Sequence, residues 1–198
     1  MGNKRAKDTA ERNFADLSCS YVEWRTPDRV LARVRAYFGG PIPLDPATSP
    51  ENPIGAEAFF TEAEDGLAQP WTMPVFLNPP YGKAIRPWLE RVANEAANGL
   101  EILALLPAGG RFSTGYWQDQ VLNDQLHAVC YVRGRIRFLD AAGVPCGSNT
   151  YPSMICGYNV DLPKFGAAFA PLGRCCEWRP LAANREVSVP IADALVRL

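Results

Sequence analysis

Asn78-Pro79-Pro80-Tyr81 is the segment of this sequence whose residue types and order could do chemistry. Asn78 offers a side-chain oxygen and Pro79 a backbone carbonyl, and two such acceptors can take both N–H bonds of one amine. An exocyclic amine on a heteroaromatic ring, such as that of adenine, is a poor nucleophile because its lone pair is delocalised into the ring. Pulled from two sides, the nitrogen moves toward tetrahedral geometry and the lone pair becomes available to an electrophilic carbon. Pro80 confines the residue before it to extended backbone and both proline rings fix φ, so the carbonyl direction is set before a substrate arrives. Tyr81 can stack on a base, a contact worth ~1–3 kcal/mol. No general base has to act before transfer, because the proton can leave once the nitrogen has become cationic. In duplex DNA this amine is inside the helix, so a base reacting this way must first be turned out, at a cost of roughly a few kcal/mol. Asn-Pro-Pro is also an ordinary turn sequence, and what surrounds it decides between the two readings.

A strand and a helix surround it. Met73-Pro74-Val75-Phe76-Leu77 reads as a buried strand, and Ile85, Trp88, Leu89, Val92 and Ala96 share one face of a helix closed by Gly99. Leu100 to Leu106 is a nearly continuous apolar run, as expected of a strand covered on both faces. Strand, helix and strand in that order form a βαβ unit and predict a parallel sheet. In an open α/β sheet ligands bind beyond the carboxyl ends of the strands, which is where Asn78 falls. Upstream, Thr26 is placed to cap a helix, with Pro27 at its first position and Asp28 at the positive end of its dipole. Val30, Leu31, Val34 and Phe38 recur at helical spacing until Gly39-Gly40 stops the helix. Pro41 to Leu44 reads as a brief strand with an acid, Asp45, at its carboxyl end. Residues 46–70, rich in Pro, Glu, Ala and Gly, read as loops with at most one short helix. In the second half, Leu126 to Phe138 carries two apolar runs around Arg133-Gly134-Arg135, and Ser153 to Tyr158 is a further strand. With no long helix between them, these predict an antiparallel addition to the sheet. The last forty or so residues, with Pro163, Pro171, Pro180 and Pro190, are weakly patterned.

At 198 residues the chain has the length of one domain. Its 47% apolar and 21% charged residues are ordinary for a globular protein. A net charge of −1 argues against a protein that coats nucleic acid by bulk electrostatics, while leaving room for a local basic face on an enzyme. No apolar run approaches the ~20 residues of a membrane-spanning helix. Met1 to Asp8 lacks the apolar core of a secretory signal, and Ala6 stands where a myristoylation signal needs Ser or Thr. The chain therefore reads as cytoplasmic. Of the six cysteines none forms a Cys-x-x-Cys pair, and the single His127 cannot complete a zinc set, so no metal is expected and the cysteines read as reduced structural thiols. His127, entering an apolar run, reads as structural, and imidazole catalysis is disfavoured.

Taken together, the motifs resemble the phage-type DNA N6-adenine methyltransferase family. Trp24-Arg25-Thr26-Pro27, Leu44-Asp45-Pro46-Ala47, Asp65-Gly66-Leu67 followed by Trp71, Phe76 to Gly82, Leu105-Leu106-Pro107-Ala108 and Gly134-Arg135-Ile136-Arg137-Phe138 stand in the family's order over about residues 24–158. The resemblance implies an α/β, Rossmann-like S-adenosylmethionine-dependent methyltransferase fold, with a mixed, mostly parallel sheet and antiparallel C-terminal strands. It implies a single methyltransferase domain over residues 1–198, with its core at about 22–160, an N-terminal extension at 1–21 and a tail at 161–198. The cofactor would be S-adenosylmethionine, the partner adenine-containing DNA, and the reaction methyl transfer to adenine N6. Asn78, Pro79, Pro80 and Tyr81 would form the catalytic set, Asn78 also bordering the cofactor. Asp45 would contact the methionine moiety, its carboxylate suiting an ammonium group, and Thr26 and Pro27 would head the helix that closes the methionine end. Asp65 would accept from the cofactor's adenine amine, with Leu67 against the ring. Arg133, Arg135 and Arg137 would share one strand face, opposite Val132, Ile136 and Phe138, and could position DNA phosphates. Plainer readings stand beside these: a turn acid for Asp45, a helix cap for Thr26, an Asp-Gly turn at Asp65 and a solvated face for the arginines. A phage or prophage gene in a bacterial host follows from the resemblance alone.

The sequence departs from the broad pattern in two places. Asp45 is followed by Pro-Ala-Thr-Ser-Pro where most methyltransferases of this fold carry a glycine-rich loop. After Leu-Leu-Pro-Ala the chain reads Gly109-Gly110-Arg111-Phe112-Ser113-Thr114, which places Arg111, Tyr116 or Trp117 differently on the substrate side. Two alternatives accompany the DNA reading. Asn-Pro-Pro-Tyr also suits methylation of an RNA base or a protein glutamine amide, and a methyltransferase-like module can bind DNA without turnover. Cytosine N4 is disfavoured because Ser more often replaces Asn78 there.

Overall fold

The first helix shows how local sequence sets the frame. In the computed structural model, which describes residues 24–109, 112–146 and 151–179, α1 runs Asp28–Phe38 and buries Val30, Leu31, Val34 and Tyr37. Tyr37, not Phe38, completes the buried stripe. Gly39 ends the helix in the left-handed region (φ 78°), its N–H returning to the carbonyl of Arg35. The expected cap shifts by one residue: Pro27 holds the N-cap position with extended backbone, and Thr26 precedes it, buried. The extension at 1–21 and the tail beyond residue 179 lie outside the described residues.

Strand β1 (Ile42–Thr48) continues through Asp45-Pro46 for four residues past the expected stop at Leu44. It pairs in parallel with β2 (Ala56–Thr61), a strand within the region read as loop. The connection 49–55 is much shorter than the dozen or more residues usual for a parallel crossover. Left-handed residues at Asn52 (φ 44°) and Gly55 (φ 64°) make it possible, and the Asn52 side chain brackets Ala56 by accepting from its N–H at 3.0 Å and donating to its carbonyl at 2.9 Å. A 3-10 turn, Glu62–Glu64, follows β2.

The βαβ unit forms as expected. Strand β3 (Val75–Leu77), helix α2 (Ile85–Ala97) and strand β4 (Ile102–Pro107) follow one another, with β3 and β4 parallel and all six residues of β4 buried. Beyond α3 (Gly115–Gln120), β5 (Leu126–Val132) and β6 (Ser153–Tyr158) add antiparallel strands, β6 beside β4. The second apolar run, 135–138, forms no strand, although Ile136 and Phe138 are buried as expected. The sheet does not stop at residue 160. Helix α4 (Leu162–Phe169), capped by the Asp161 carboxylate on the Lys164 N–H, leads into β7 (Gly173–Glu177), which pairs with β5. The core therefore extends past its expected boundary.

The seven strands lie in the order β2-β1-β3-β4-β6-β5-β7. Alternation along β3 and β4 sends Phe76, Leu103 and Leu105 to the layer of α1 and α4, and Val75, Leu77, Ile102, Ala104 and Leu106 to the layer of α2 and α3. From β1 the chain steps outward to β2 and then returns to the other side of β1 as β3. The carboxyl ends of β1 and β3 thus flank a topological switch point, where such sheets hold ligands. No helix among the described residues is long and apolar enough to cross a membrane. Cys130, Cys156, Cys175 and Cys176 are free thiols, whereas Cys146 is disulfide-bonded, a departure from the expected reduced set.

Candidate active site

A cavity of about 860 Å³ opens at the switch point. The carboxyl ends of β1 and β2 and the residues after β1, β2 and β3 line it with Asp45 to Pro50, Thr61 to Ala63, Asp65 and Asn78 to Tyr81, and the segment entering α1 adds Trp24, Arg25 and Thr26. Its size falls in the range of cofactor sites, roughly 300–1,000 Å³.

Asn78 is held in one orientation. Its Nδ2 donates to the carbonyl of Trp24 at 3.1 Å, while its Oδ1 is buried and makes no hydrogen bond. A buried acceptor without a donor costs about 1–3 kcal/mol, so it marks a place where a donor from outside is wanted. Pro79 is buried beside it. The Tyr81 ring packs edge-on to Trp24 (5.8 Å between centroids) and to Phe138 (6.1 Å), and Trp24 stacks on Phe138 at 5.3 Å. Burial raises the Tyr81 phenol above its ordinary value, which keeps it neutral. The aromatic cluster fixes the Asn-Pro-Pro-Tyr turn against the segment entering α1.

Asp45 is 6% exposed. Burial pushes its carboxyl up to about 7, against the opposing hydrogen bonds from the Ala47 N–H and the Thr48 side chain. The Pro-Ala-Thr that replaces a glycine-rich loop thus supplies donors to this acid. Asp65 is exposed, has positive φ (54°), and accepts from the Leu67 N–H at 3.2 Å. Gly66, next to it, lies so close to β1 that a Cβ there would meet the Pro46 carbonyl oxygen at 1.9 Å.

The family model for DNA N-6-adenine-methyltransferase (Dam) matches residues 19–158, well over half the chain. The chain belongs to the Dam family. No curated protein matches it. Membership carries adenine N6 methylation of DNA with S-adenosylmethionine as methyl donor, and the mixed sheet, parallel at first and antiparallel toward the C-terminus, is consistent with a methyltransferase-like fold.

For a Dam-family protein the arrangement of the motif residues is then the useful question. Thr26, Asp45, Asp65, Asn78, Pro79, Pro80 and Tyr81, separated by up to 55 positions, line one cavity. Pro27 and Leu67 do not: Pro27 is the cap residue of α1, and Leu67 gives its carbonyl to Arg91. Arg133, Arg135 and Arg137 lie outside the lining and are exposed, on a segment without strand pairing where they still alternate with buried Val132, Ile136 and Phe138. Trp117, considered for the substrate side, is fully buried, Tyr116 lies under Arg86 (4.8 Å from its guanidinium carbon), and Arg111 lies outside the described residues. His127 is a structural residue whose Nδ1 stands 2.7 Å from the Gln125 carbonyl oxygen and 3.1 Å from the Asn159 backbone nitrogen. Arg25, Thr48, Glu62 and Trp88 also line the cavity, and none of them carries a chemical signal of its own in the sequence. Trp88 was legible only as part of a helical stripe, and Arg25 only as a letter in a motif.

Proposed function

We propose that this cavity holds S-adenosylmethionine beside an adenine turned out of DNA, and that Asn78 and the Pro79 carbonyl receive the two N–H bonds of its N6 amine. The observation that carries the reading is Asn78 Oδ1: buried, unpartnered, and fixed by the bond from Nδ2 to Trp24. When bound, the cofactor supplies an electrophilic methyl group. Asn78 and Pro79 localise the lone pair of the amine, and the prolines hold both acceptors in place so that little reorganisation is left for the reaction itself. Tyr81, backed by Trp24 and Phe138, offers a rigid surface for the base, and its neutral phenol adds no charge there. Asp45 suits the cofactor's ammonium group, since a cation beside the buried carboxyl restores its ionised form. Thr26 adds to the wall at the methionine end, and Asp65 with Gly66 suits the adenosine end. Pro27 acts through the helix it caps, and Leu67 through the hydrogen bond that fixes the Asp65 carboxylate.

Nucleoside mass spectrometry of unmethylated DNA, incubated with the protein and S-adenosylmethionine, tests this directly. N6-methyladenine is expected with the parent protein. The Asn78→Ala variant should bind cofactor nearly as well and lose about 10²-fold or more in turnover, the scale of losing one donor or acceptor aimed at the reacting group. Methylation by that variant at the parent rate would falsify the assigned mechanism.

A further inference from the structure

An α-amino acid carries two charges, and a cavity built to hold its methionine-derived end must answer both. We infer that Arg25 binds the carboxylate of the methionine moiety of S-adenosylmethionine, forming with Asp45 a site for both charges; the inference rests on the cofactor reading above. Among the described residues lining the cavity, Asp45, Glu62 and Asp65 are acids and Arg25 is the one cation. Without Arg25 the charged groups around a carboxylate placed there would all be acids, with only neutral donors such as Thr26, Thr48 and Ser49 beside them.

The backbone fixes where Arg25 stands. Its N–H donates to the Leu139 carbonyl at 2.8 Å and its carbonyl accepts from the Leu139 N–H at 2.9 Å, an isolated bridge that anchors the segment entering α1. Trp24 stacks on Phe138 on one side of it, and buried Thr26 lines the cavity on the other. The guanidinium, by contrast, is weakly committed. It reaches Glu51 by one nitrogen at 3.5 Å, beyond the ~2.7–2.9 Å of a strong charged hydrogen bond, and Glu51 is 64% exposed. A planar fork that matches a carboxylate with two parallel bonds can exchange this surface partner for a ligand carboxylate without disturbing the fold.

Calorimetric titration of the full chain with S-adenosylhomocysteine and with 5′-methylthioadenosine, which lacks the amino-acid end, tests the inference. The Arg25→Gln variant should bind S-adenosylhomocysteine roughly ten- to a hundredfold more weakly and 5′-methylthioadenosine as the parent does. Arg25→Lys should recover part of the loss. Glu51→Gln should leave the affinity equal or higher, because it frees the guanidinium. Equal weakening of both ligands in Arg25→Gln would assign Arg25 a structural role and overturn the inference. So would unchanged binding of S-adenosylhomocysteine, or a loss in Glu51→Gln as large as in Arg25→Gln. If the parent chain binds neither ligand, the cofactor reading fails and this inference with it.

Discussion

Asp45 is a carboxyl kept out of water before any cation reaches it. Burial raises it from 3.8 to about 7, the Ala47 N–H and the Thr48 side chain offsetting only part of the cost. The folded chain therefore binds more protons than the unfolded one between about pH 4 and pH 7, and stability falls as pH rises through that window, then levels off. Asp45→Asn removes the cost. Its thermal midpoint should match the parent's near pH 4 and exceed it above pH 7, by the equivalent of roughly a few kcal/mol. In the parent, S-adenosylhomocysteine affinity should climb with pH up to about 7, because the ammonium partner requires the ionised carboxylate; in Asp45→Asn it should be weaker and lose that climb. Scanning calorimetry and titration across pH 4–8 check both halves. A variant more stable yet equally tight at pH 8 would leave Asp45 a strained strand acid with no ligand role. The same trade between stability and function is visible at Asn78, whose buried oxygen makes no bond within the protein.

At the scale of elements, the cavity depends on β2 and the turn after it lying hard against β1. Gly66 leaves no room for a side chain, since a Cβ there would collide with the Pro46 carbonyl, and the Gly66 carbonyl accepts from Trp71 Nε1 at 2.9 Å. Gly66→Ala must move backbone rather than a side chain, so it should destabilise by about 1–3 kcal/mol or more and weaken binding of 5′-methylthioadenosine as well as S-adenosylhomocysteine. Denaturant melts and the same titrations read this; an unaltered variant would mean the turn has room the structure does not show. The elements legible in the sequence were those whose own residues decide them. The α1 and α2 stripes and the apolar run of β4 carry their periodicity within a dozen residues. β2 was missed because Ala56-Glu57-Ala58-Phe59-Phe60-Thr61 is an edge strand with only Ala56 buried, following a Pro-rich connection, and its pairing with β1 is set by a short crossover rather than by pattern. β7 is likewise an edge strand with no buried alternation. For α4 a signal existed, an Asp161 cap with Pro163 in the first turn, but the surrounding prolines diluted it. In the cavity, Asn78 to Tyr81 were legible because they are contiguous. Arg25 and Thr48 were not, because Thr48 arrives through the extension of β1 past Leu44 and Arg25 through its backbone bridge to Leu139.

At the scale of the whole molecule, a chain of net charge −1 must concentrate its attraction for DNA on part of its surface. The segment 133–138 is suited to that. Ile136 and Phe138 are buried, and Phe138 belongs to the cluster that holds Trp24 and Tyr81, so the exposed Arg133, Arg135 and Arg137 are carried on the same anchor as the Asn-Pro-Pro-Tyr turn. Arg29 of α1 joins them, donating to the Arg135 carbonyl at 3.1 Å. A local group of four cations of this kind would position phosphates on either side of a turned-out base without reading sequence. Each phosphate contact releases counterions, so log affinity should fall with log salt by about 0.9 per contact. Replacing Arg133, Arg135 and Arg137 by Gln should weaken duplex binding at low salt, flatten the salt slope by up to about three contacts, and leave S-adenosylhomocysteine binding unchanged. The Arg25→Gln variant should do the reverse, losing cofactor affinity while keeping the salt slope. Fluorescence anisotropy of a labelled duplex across a salt series separates the two. If the triple variant keeps the parent slope, DNA approaches from another face and the arginines form only a solvated surface; if Arg25→Gln flattens the slope instead, the cation at the cavity serves the phosphate backbone.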